Sequence, residues 1–357
     1  MEKFTHWFHK HERHISSGAL VLGFIIDNLT LRRVDLLAEN LLLFAYIVLA
    51  GGGIVIMHAY SDEKWRRYIG EKFYLFIPAI VQFVFGGLFS AFFVFYSRSG
   101  SFSASWPFII MLGVLLVGNE FLRQAYSRLK FQLSVFYVTV FSYLIFVVPI
   151  IIKRIDIWSF IISGFASLIV MAFLIQLLLR ISSPKVREER KSIRIYIVSI
   201  FVFINILYFT NSIPPIPLSL QDVGVYHEVS KEGGVYNVIE EKQNYWKRFL
   251  GIRVHINSGE ELYVWSSVFA PTKINANIVH RWQYYDNSKK GWVDAGTIRF
   301  PITGGRDGGY RGYSVKQIKQ FGDWRVDVEN ERGQIIGRIS FEVVDNPVNV
   351  ELIKKVK

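Results

Sequence analysis

Residues 193–220 read IRIYIVSIFVFINILYFTNSIPPIPLSL, and this stretch divides the chain into two parts of different character. It opens with a hydrophobic run and closes with three prolines. A helix cannot continue through Pro214, Pro215 and Pro217, because proline fixes φ and has no amide hydrogen. The sequence therefore predicts a stiff, extended linker over residues 211–221, with membrane helices before it and a soluble β domain after it.

The composition of the 357 residues is that of a membrane protein, with 51% hydrophobic and 16% aromatic residues. The net charge is +12, and most of the excess lies in residues 1–220, which hold 21 Lys and Arg against 12 Asp and Glu. Because these basic residues lie between hydrophobic runs, they indicate membrane orientation, and no nucleic-acid partner is predicted. The chain has no cysteine, which excludes disulfides and thiolate sites.

Seven hydrophobic runs predict about seven transmembrane helices within residues 17–210, after an N-terminal segment of residues 1–16. The runs are residues 17–31, 36–57, 73–96, 106–122, 131–152, 157–179 and 193–210. The first run is short, so it either spans the bilayer or lies at its interface. The loops on one side hold 16 Lys and Arg and those on the other hold 5, which predicts a cytoplasmic N-terminus and a C-terminal domain outside the cytoplasm.

A cluster of charged residues near the predicted outer face is the candidate site of the membrane part. Its members are Asp27, Arg32, Arg33, Asp35 and Glu39. Two interpretations stay open: a solvated loop whose charges pair with one another, or a site that acts on a lipid headgroup. The N-terminal histidines are interleaved with aromatic residues, a pattern typical of an interfacial helix, so neither a metal nor a cofactor is predicted.

Residues 222–357 change to an alternating pattern with turns between the runs, which predicts an all-β domain. The predicted strands are residues 234–240, 247–256, 261–270, 275–285, 292–300, 323–329 and 334–344. Because these strands are short and no helix separates them, the pattern favours an antiparallel, immunoglobulin-like sandwich. The predicted fold is thus a membrane α-helical bundle followed by this β-sandwich.

The β domain contains two candidate ligand-binding features. Alternation places His280 and Trp282 on one face of a strand, where His280 is either a hydrogen-bonded core residue or a ligand group. The stretch Gly304–Ser314 has five glycines, which let backbone amides turn towards one point and bind an anion, unless the stretch is a sharp crossover between strands. Its side chains that suit phosphate, carboxylate or sugar are Arg306, Asp307, Tyr310, Arg311 and Tyr313.

The C-terminal motifs resemble the bacterial domain of unknown function 2914. They are His280-x-Trp282, Trp292, Gly304–Ser314, Gly322-Asp323-Trp324-Arg325-Val326, and Gly333 through Phe341-Glu342-Val343. Residues 23–35 and the joint at residues 213–218 are similar to the helical region that precedes this domain in some Gram-negative members. The resemblance implies an inner-membrane protein with a periplasmic domain, and it brings no established activity.

The sequence contains no recognisable catalytic constellation beside these features. We therefore expect a lipid-embedded protein whose periplasmic sandwich binds an envelope component, a protein, glycan or peptidoglycan strand, without catalysis. The alternative is a membrane enzyme or lipid-handling protein that acts on a headgroup at the charged cluster. A structural subunit of an envelope complex is a third possibility.

Overall fold

The computed structural model describes residues 23–31, 36–60, 63–100, 102–121, 128–181, 183–242, 251–271, 275–303, 309–345 and 350–357. The chain forms two compact units. The helical unit comprises Met1–Ser97, Ser105–Ile152 and Asp156–Ile213, and the β unit comprises Arg98–Ala104, Lys153–Ile155 and Pro214–Lys357.

Seven helices follow the short helical stretch at residues 23–30 in the described part of the chain. They are α1 (Leu37–Ala59), α2 (Glu63–Arg66), α3 (Glu71–Arg98), α4 (Phe102–Phe121), α5 (Leu129–Ile152), α6 (Ile157–Ile181) and α7 (Ser183–Phe209). Five of them are long and apolar enough to cross a bilayer, namely α1, α3, α5, α6 and α7, and α4 contains the shorter apolar stretch Ala104–Asn119. A largely helical, apolar N-terminal region is thus confirmed, and a total of seven spans stays a prediction.

Glycines let the helices approach one another closely, as the runs at residues 51–53 and 86–87 predict. A Cβ on Gly51 of α1 would lie 3.2 Å from the ring of Phe136 on α5. A Cβ on Gly87 of α3 would lie 2.8 Å from the ring of Tyr46 on α1. A larger residue at Gly51 or Gly87 would therefore crowd the ring of a neighbouring helix, whereas Gly52 faces open space.

The joint after α7 is compact and buried. The amide of Ile216 donates to the carbonyl of Pro214 at 2.9 Å, and the amide of Leu218 donates to the carbonyl of Pro215 at 2.9 Å. These bonds form consecutive tight turns, so the predicted extended spacer is wrong. The reason is that proline also suits turns, and folding here buries the side chains of Ile216 and Leu218.

The β unit contains eleven strands among its described residues. They are β1 (Ser219–Tyr226), β2 (Glu228–Glu232), β3 (Val235–Glu241), β4 (Ile252–Ile256), β5 (Glu261–Phe269), β6 (Asn275–Asp286), β7 (Gly291–Thr303), β8 (Tyr310–Gln317), β9 (Gly322–Asn330), β10 (Ile335–Asp345) and β11 (Leu352–Val356). They form three sheets with the orders β1-β5-β8, β4-β10-β9-β6-β7 and β11-β3-β2. The predicted strand-rich C-terminal region is confirmed.

One core joins the β1-β5-β8 sheet to the five-stranded sheet. The alternating residues of both sheets meet there, and its members include Val225, Leu262, Val264, Trp282, Trp324 and Phe341. The third sheet packs through Tyr236, whose ring centroid lies 6.2 Å from that of Trp265 on β5. Burial of the apolar face of each strand therefore sets how the sheets stack.

Two details of the β unit differ from expectation. Each predicted strand has a counterpart within a few residues, but β1, β2, β8 and β11 were not predicted. Strand β4 pairs with β10 in parallel, from Ile252 opposite Phe341 to Ile256 opposite Asp345, so the expectation of purely antiparallel pairing is wrong. This register places Ile256 and Val254 in the core, and that burial favours it.

Candidate functional site

His280 lies at the centre of a buried hydrogen-bond network between the five-stranded sheet and the β1-β5-β8 sheet. Its ring is fully buried, with Nε2 2.8 Å from Oγ of Ser266 and Nδ1 2.8 Å from Oγ of Ser314. The indole Nε1 of Trp282 donates to the same Ser314 hydroxyl at 3.0 Å. Burial lowers the pKa of His280 to about 3, so the ring is neutral near pH 7. Of the two interpretations of His280, the structure shows the hydrogen-bonded core residue.

The two tyrosines of the glycine-rich stretch lie on opposite faces of β8. Tyr310 packs against a core cluster, whereas Tyr313 is 38% exposed on the outer face. The Tyr313 ring lies 6.3 Å from that of Tyr236 and 6.1 Å from that of Tyr263. We call these three residues the tyrosine surface, in which Tyr236 is the buried member beside the rings of Tyr263 and Tyr313. Side chains alternate along a strand, so Tyr313 belongs to this surface and Tyr310 belongs to the interior.

The structure describes one of the two arginines of the glycine-rich stretch Gly304–Ser314. Arg306 and Asp307 lie outside the described residues. Arg311 is half-buried and shares its strand face with Tyr313, and its carbonyl accepts a hydrogen bond from the hydroxyl of Tyr236 at 2.9 Å. The tyrosine surface therefore has an arginine at its edge.

The charged cluster of the helical unit is likewise described in part. Arg32, Arg33 and Asp35 lie outside the described residues, while Asp27 and Glu39 lie within them. Asp27 lies beside Ser90 of α3 and close to Tyr46 of α1. Ser90 precedes the end of α3 by eight residues, about 12 Å along the helix axis. Asp27 therefore lies against α1 and α3, at the level of Ser90.

Glu241 forms a site that was not predicted, in which its carboxylate is held by His227, from the bend between β1 and β2, and by His255 of β4. Oε1 accepts from Nε2 of His227 at 3.1 Å and from the backbone amide of His255 at 2.5 Å, and Oε2 accepts from Nδ1 of His255 at 2.9 Å. The Glu241 side chain is 5% exposed. We call His227, Glu241 and His255 the Glu241 clasp. It ties the β11-β3-β2 sheet to β4 of the five-stranded sheet.

The hydrogen bonds of the clasp keep its carboxylate ionised. Burial raises the pKa of Glu241, but the hydrogen bonds from His227 and from the amide and ring of His255 outweigh it, so the pKa lies below its ordinary value. An ionised carboxylate only accepts, so the ring nitrogen facing it carries a hydrogen in both histidines.

A cleft of about 190 Å³ opens beside the clasp. Its charged and polar lining includes His227, Glu240, Glu241, Arg253 and Lys355. Lys355 pairs with Glu240, and Arg253 pairs with Glu342 at 2.8 Å, so these charges are compensated by the fold. Within the part of the chain that the structure describes, no group of three or more His, Asp or Glu side chains is placed to hold a metal ion.

A second feature that was not predicted is an aromatic group on the outer face of the five-stranded sheet. The ring centroids of Trp292 and Tyr285 lie 5.5 Å apart at an interplanar angle of 74°. The guanidinium carbon of Arg325 lies 4.2 Å from the Trp292 ring centroid, and its Nε donates to Oε1 of Gln283 at 2.7 Å. We call Trp292, Tyr285 and Arg325 the Trp292 platform.

The sequence indicates one of the two unpredicted features better than the other. Tyr285 and Trp292 flank the predicted turn at residues 286–291, so a hairpin register alone would have paired them. The clasp has no local pattern, since His227 of the β1–β2 bend, Glu241 of β3 and His255 of β4 meet only when the sheets pack together. Only the tertiary structure brings these three together.

The comparison with known families agrees with the resemblance of the C-terminal region. Residues 275–343 match the family described as Protein of unknown function (DUF2914). The match runs from the start of β6 into β10, so it contains His280, Trp282 and the Trp292 platform. The Glu241 clasp lies outside the matched residues.

Comparisons of the whole chain add no functional argument. No curated protein matches it. A β-glucosidase from Listeria innocua in complex with isofagomine is 13% identical with a TM-score of 0.20, over 36% of this chain and 17% of the enzyme. An alkylpurine DNA glycosylase from Pseudomonas fluorescens bound to DNA containing an abasic site analogue is 9% identical with a TM-score of 0.23, over 88% of this chain and 100% of the glycosylase. Scores this low carry no argument about fold or function.

Proposed function

With residues 275–343 matching the DUF2914 family and five long apolar helices before them, we propose that this chain is an integral protein of the bacterial inner membrane that binds an envelope component. Its N-terminus is cytoplasmic, and its C-terminal domain is an immunoglobulin-like sandwich in the periplasm. The bound component is a protein, a glycan or a peptidoglycan strand, and the binding involves no catalysis.

The surface of the helical unit supports membrane insertion. Large apolar side chains point away from the bundle, among them Phe83 of α3 with 70% exposure and Phe173 of α6 with 68%. Lipid contact removes the cost that such exposure has in water. The uneven distribution of Lys and Arg between alternate loops supports the proposed orientation.

The tyrosine surface is the observation that carries the binding role. Tyr313 and Tyr263 present aromatic rings on adjacent strands of one sheet, and Tyr236 packs beside them from another. Rings held by strands lose little conformational freedom when a ligand binds, and the edge of a tyrosine adds a hydroxyl donor. Arg311 lies on the same face, and the glycine-rich stretch with Arg306 leads into it.

Replacing Arg306 and Arg311 together with alanine tests this role. In mild detergent, we expect the amount of polypeptide or glycan that copurifies with the double variant to be at least about tenfold lower than with the wild type. The reason is that each arginine provides charge-assisted hydrogen bonds. Mass spectrometry of everything that copurifies gives the readout, and the midpoint of thermal unfolding should not change.

The matched control is Arg253→Ala, which removes an exposed arginine of β4 whose side chain is 68% exposed. It should leave the copurifying set intact, because an exposed ion pair contributes little. If the double variant keeps its partners at the level of this control, the Gly304–Ser314 surface is not the binding site.

Asp27 favours a second candidate function, the handling of a lipid headgroup. A carboxyl group among packed membrane helices is costly and commonly marks a site, and Asp27 lies beside Ser90 and close to Tyr46. A single enriched lipid that copurifies with the wild type and disappears in Asp27→Asn supports this alternative. A lipid profile identical to that of the surrounding membrane contradicts it.

A further inference from the structure

Two of the arginines on the outer face of the five-stranded sheet, Arg281 and Arg338, are paired with carboxylates. Arg338 binds both carboxylate oxygens of Asp327, and Arg281 binds Glu329 at 3.1 Å. Arg325 differs from both. Among the described residues it makes no ion pair, and its Nε donates to the neutral amide of Gln283.

The positive charge of Arg325 is therefore poorly compensated by the fold. Burial lowers the pKa of Arg325, and the charge of Arg338 lowers it further, while Asp327 acts in the opposite direction. A guanidinium stays charged under these conditions, so the environment leaves a cation that an external anion would stabilise. A planar guanidinium fits a carboxylate best, because two parallel hydrogen bonds can form.

Trp292 lies directly against that charge, because the Arg325 guanidinium covers one face of the indole ring. The indole is 37% exposed, the Arg325 guanidinium carbon lies 4.2 Å from its centroid, and Tyr285 meets its edge. Strand register fixes the group, since Tyr285 pairs with Trp292 and Gln283 pairs with Arg325. Side chains on paired strands hold a binding geometry more accurately than side chains on a loop.

We propose that the Trp292 platform binds a sugar residue that carries a carboxylate, with the sugar ring against the part of the Trp292 indole that Arg325 leaves exposed and the carboxylate on the guanidinium of Arg325. A neutral sugar would form no ion pair with Arg325, and an isolated anion would form no stacking contact with Trp292. The platform is separate from the Gly304–Ser314 stretch, and this site goes beyond the partner surface proposed there. The ligand class is an acidic glycan.

Calorimetric titration of the detergent-solubilised full chain tests the site. The probes are a trisaccharide of galacturonic acid and its methyl ester, which has the same rings without the charge. We expect the acid to bind the wild type at least about tenfold more tightly than the ester. Arg325→Gln should abolish this preference, and Trp292→Ala should weaken the binding of both probes.

Three further proteins make the result specific. Trp292→Phe keeps an aromatic ring and should retain most of the affinity, Arg253→Ala should bind like the wild type, and the Arg306/Arg311 double variant should also bind like the wild type. Thermal unfolding of each variant checks its fold, and Arg325→Lys, which keeps the charge without the planar fork, replaces Arg325→Gln if the latter unfolds. A partial loss of preference in the lysine variant supports the proposal.

Several outcomes would overturn it. The wild type could bind neither probe, or it could bind both equally. The Arg325→Gln variant could also keep the full preference for the acid. If Trp292→Ala keeps full affinity and inorganic phosphate displaces the sugar, the platform binds simple anions and the sugar assignment is wrong. Loss of binding in the Arg306/Arg311 double variant alone would place the acidic sugar on the tyrosine surface instead.

Discussion

Burial produces opposite charge states at two titratable residues of the β unit. His280 is surrounded by apolar groups and two hydroxyls, so desolvation is unopposed and the ring is neutral. Glu241 is also little exposed, yet three donors from His227 and His255 converge on it and keep it ionised. The hydrogen-bond donors around a buried group decide its charge as much as burial does.

The Glu241 clasp predicts a pH-dependent contribution to stability. The folded-state pKa of Glu241 lies below its ordinary value of 4.5, so its contribution is fully present above that pH and is lost as pH falls through the folded pKa. Glu241→Gln turns one acceptor into a donor that faces other donors, and we expect it to destabilise the β unit by about 1–3 kcal/mol at pH 7. Thermal unfolding of both proteins from pH 7 to pH 3 should show the difference narrowing below about pH 4.5.

Glu342→Gln is the control for this measurement. It removes a carboxylate that is 42% exposed and pairs with Arg253, and such a pair contributes little to stability. A difference between Glu241→Gln and the wild type that stays constant over the whole pH range would contradict the clasp.

Strand β8 shows how an element escapes detection when glycine interrupts its pattern. Gly309 and Gly312 suggest a loop, but the strand begins at Tyr310 and pairs with β5 from Tyr310 to Gln317. Gly312 is inside the strand because the Phe300 ring of β7 occupies the space that a Cβ would need. A glycine in a strand often marks such a close approach.

Gly312→Ala should therefore destabilise the β unit. The added methyl group overlaps the Phe300 ring, and overpacking of this kind costs about 1–3 kcal/mol. Thermal unfolding gives the measurement, and Phe300→Leu in the same chain should recover part of the loss, because the two positions share one space. Gly291→Ala is the matched control, since a Cβ there meets its nearest neighbour at an ordinary 3.7 Å. Equal effects at Gly312 and Gly291 would show that the Phe300 contact is not the cause.

At the scale of the whole molecule, the two units differ in the chemistry of their surfaces. The helical unit exposes apolar rings, whereas the outer face of the five-stranded sheet in the β unit carries paired charges, such as those of Arg281, Arg338, Asp327 and Glu329. Lipid suits the first surface and water suits the second. The proposed orientation assigns the second to the periplasm.

The absence of cysteine makes this orientation directly measurable. Asn287 is exposed in the β6–β7 turn and Lys191 is exposed on α7, so each accepts a single cysteine with little effect on packing. A membrane-impermeant maleimide should label Asn287→Cys in intact spheroplasts, and Lys191→Cys only after permeabilisation. The reverse pattern would place the β unit in the cytoplasm and remove the periplasmic function.

By itself the sequence determined the features that depend on local pattern. Each hydrophobic run of membrane length lies within a single helix. Two-residue alternation likewise lies within a single long strand, as in the hairpin of β9 and β10. The division near Pro214 and the DUF2914 motifs are local in the same sense.

Only the tertiary structure decided the features in which distant segments meet. The parallel pairing of β4 with β10, the burial of His280 between two serines and the Glu241 clasp each join residues through strand pairing and sheet stacking. Their energies come from hydrogen bonds and buried contacts that exist only after the sheets have packed, and no spacing along the chain encodes them. Strand pairing and packing likewise bring the Arg325 guanidinium of β9 over the Trp292 ring of β7, 4.2 Å from its centroid.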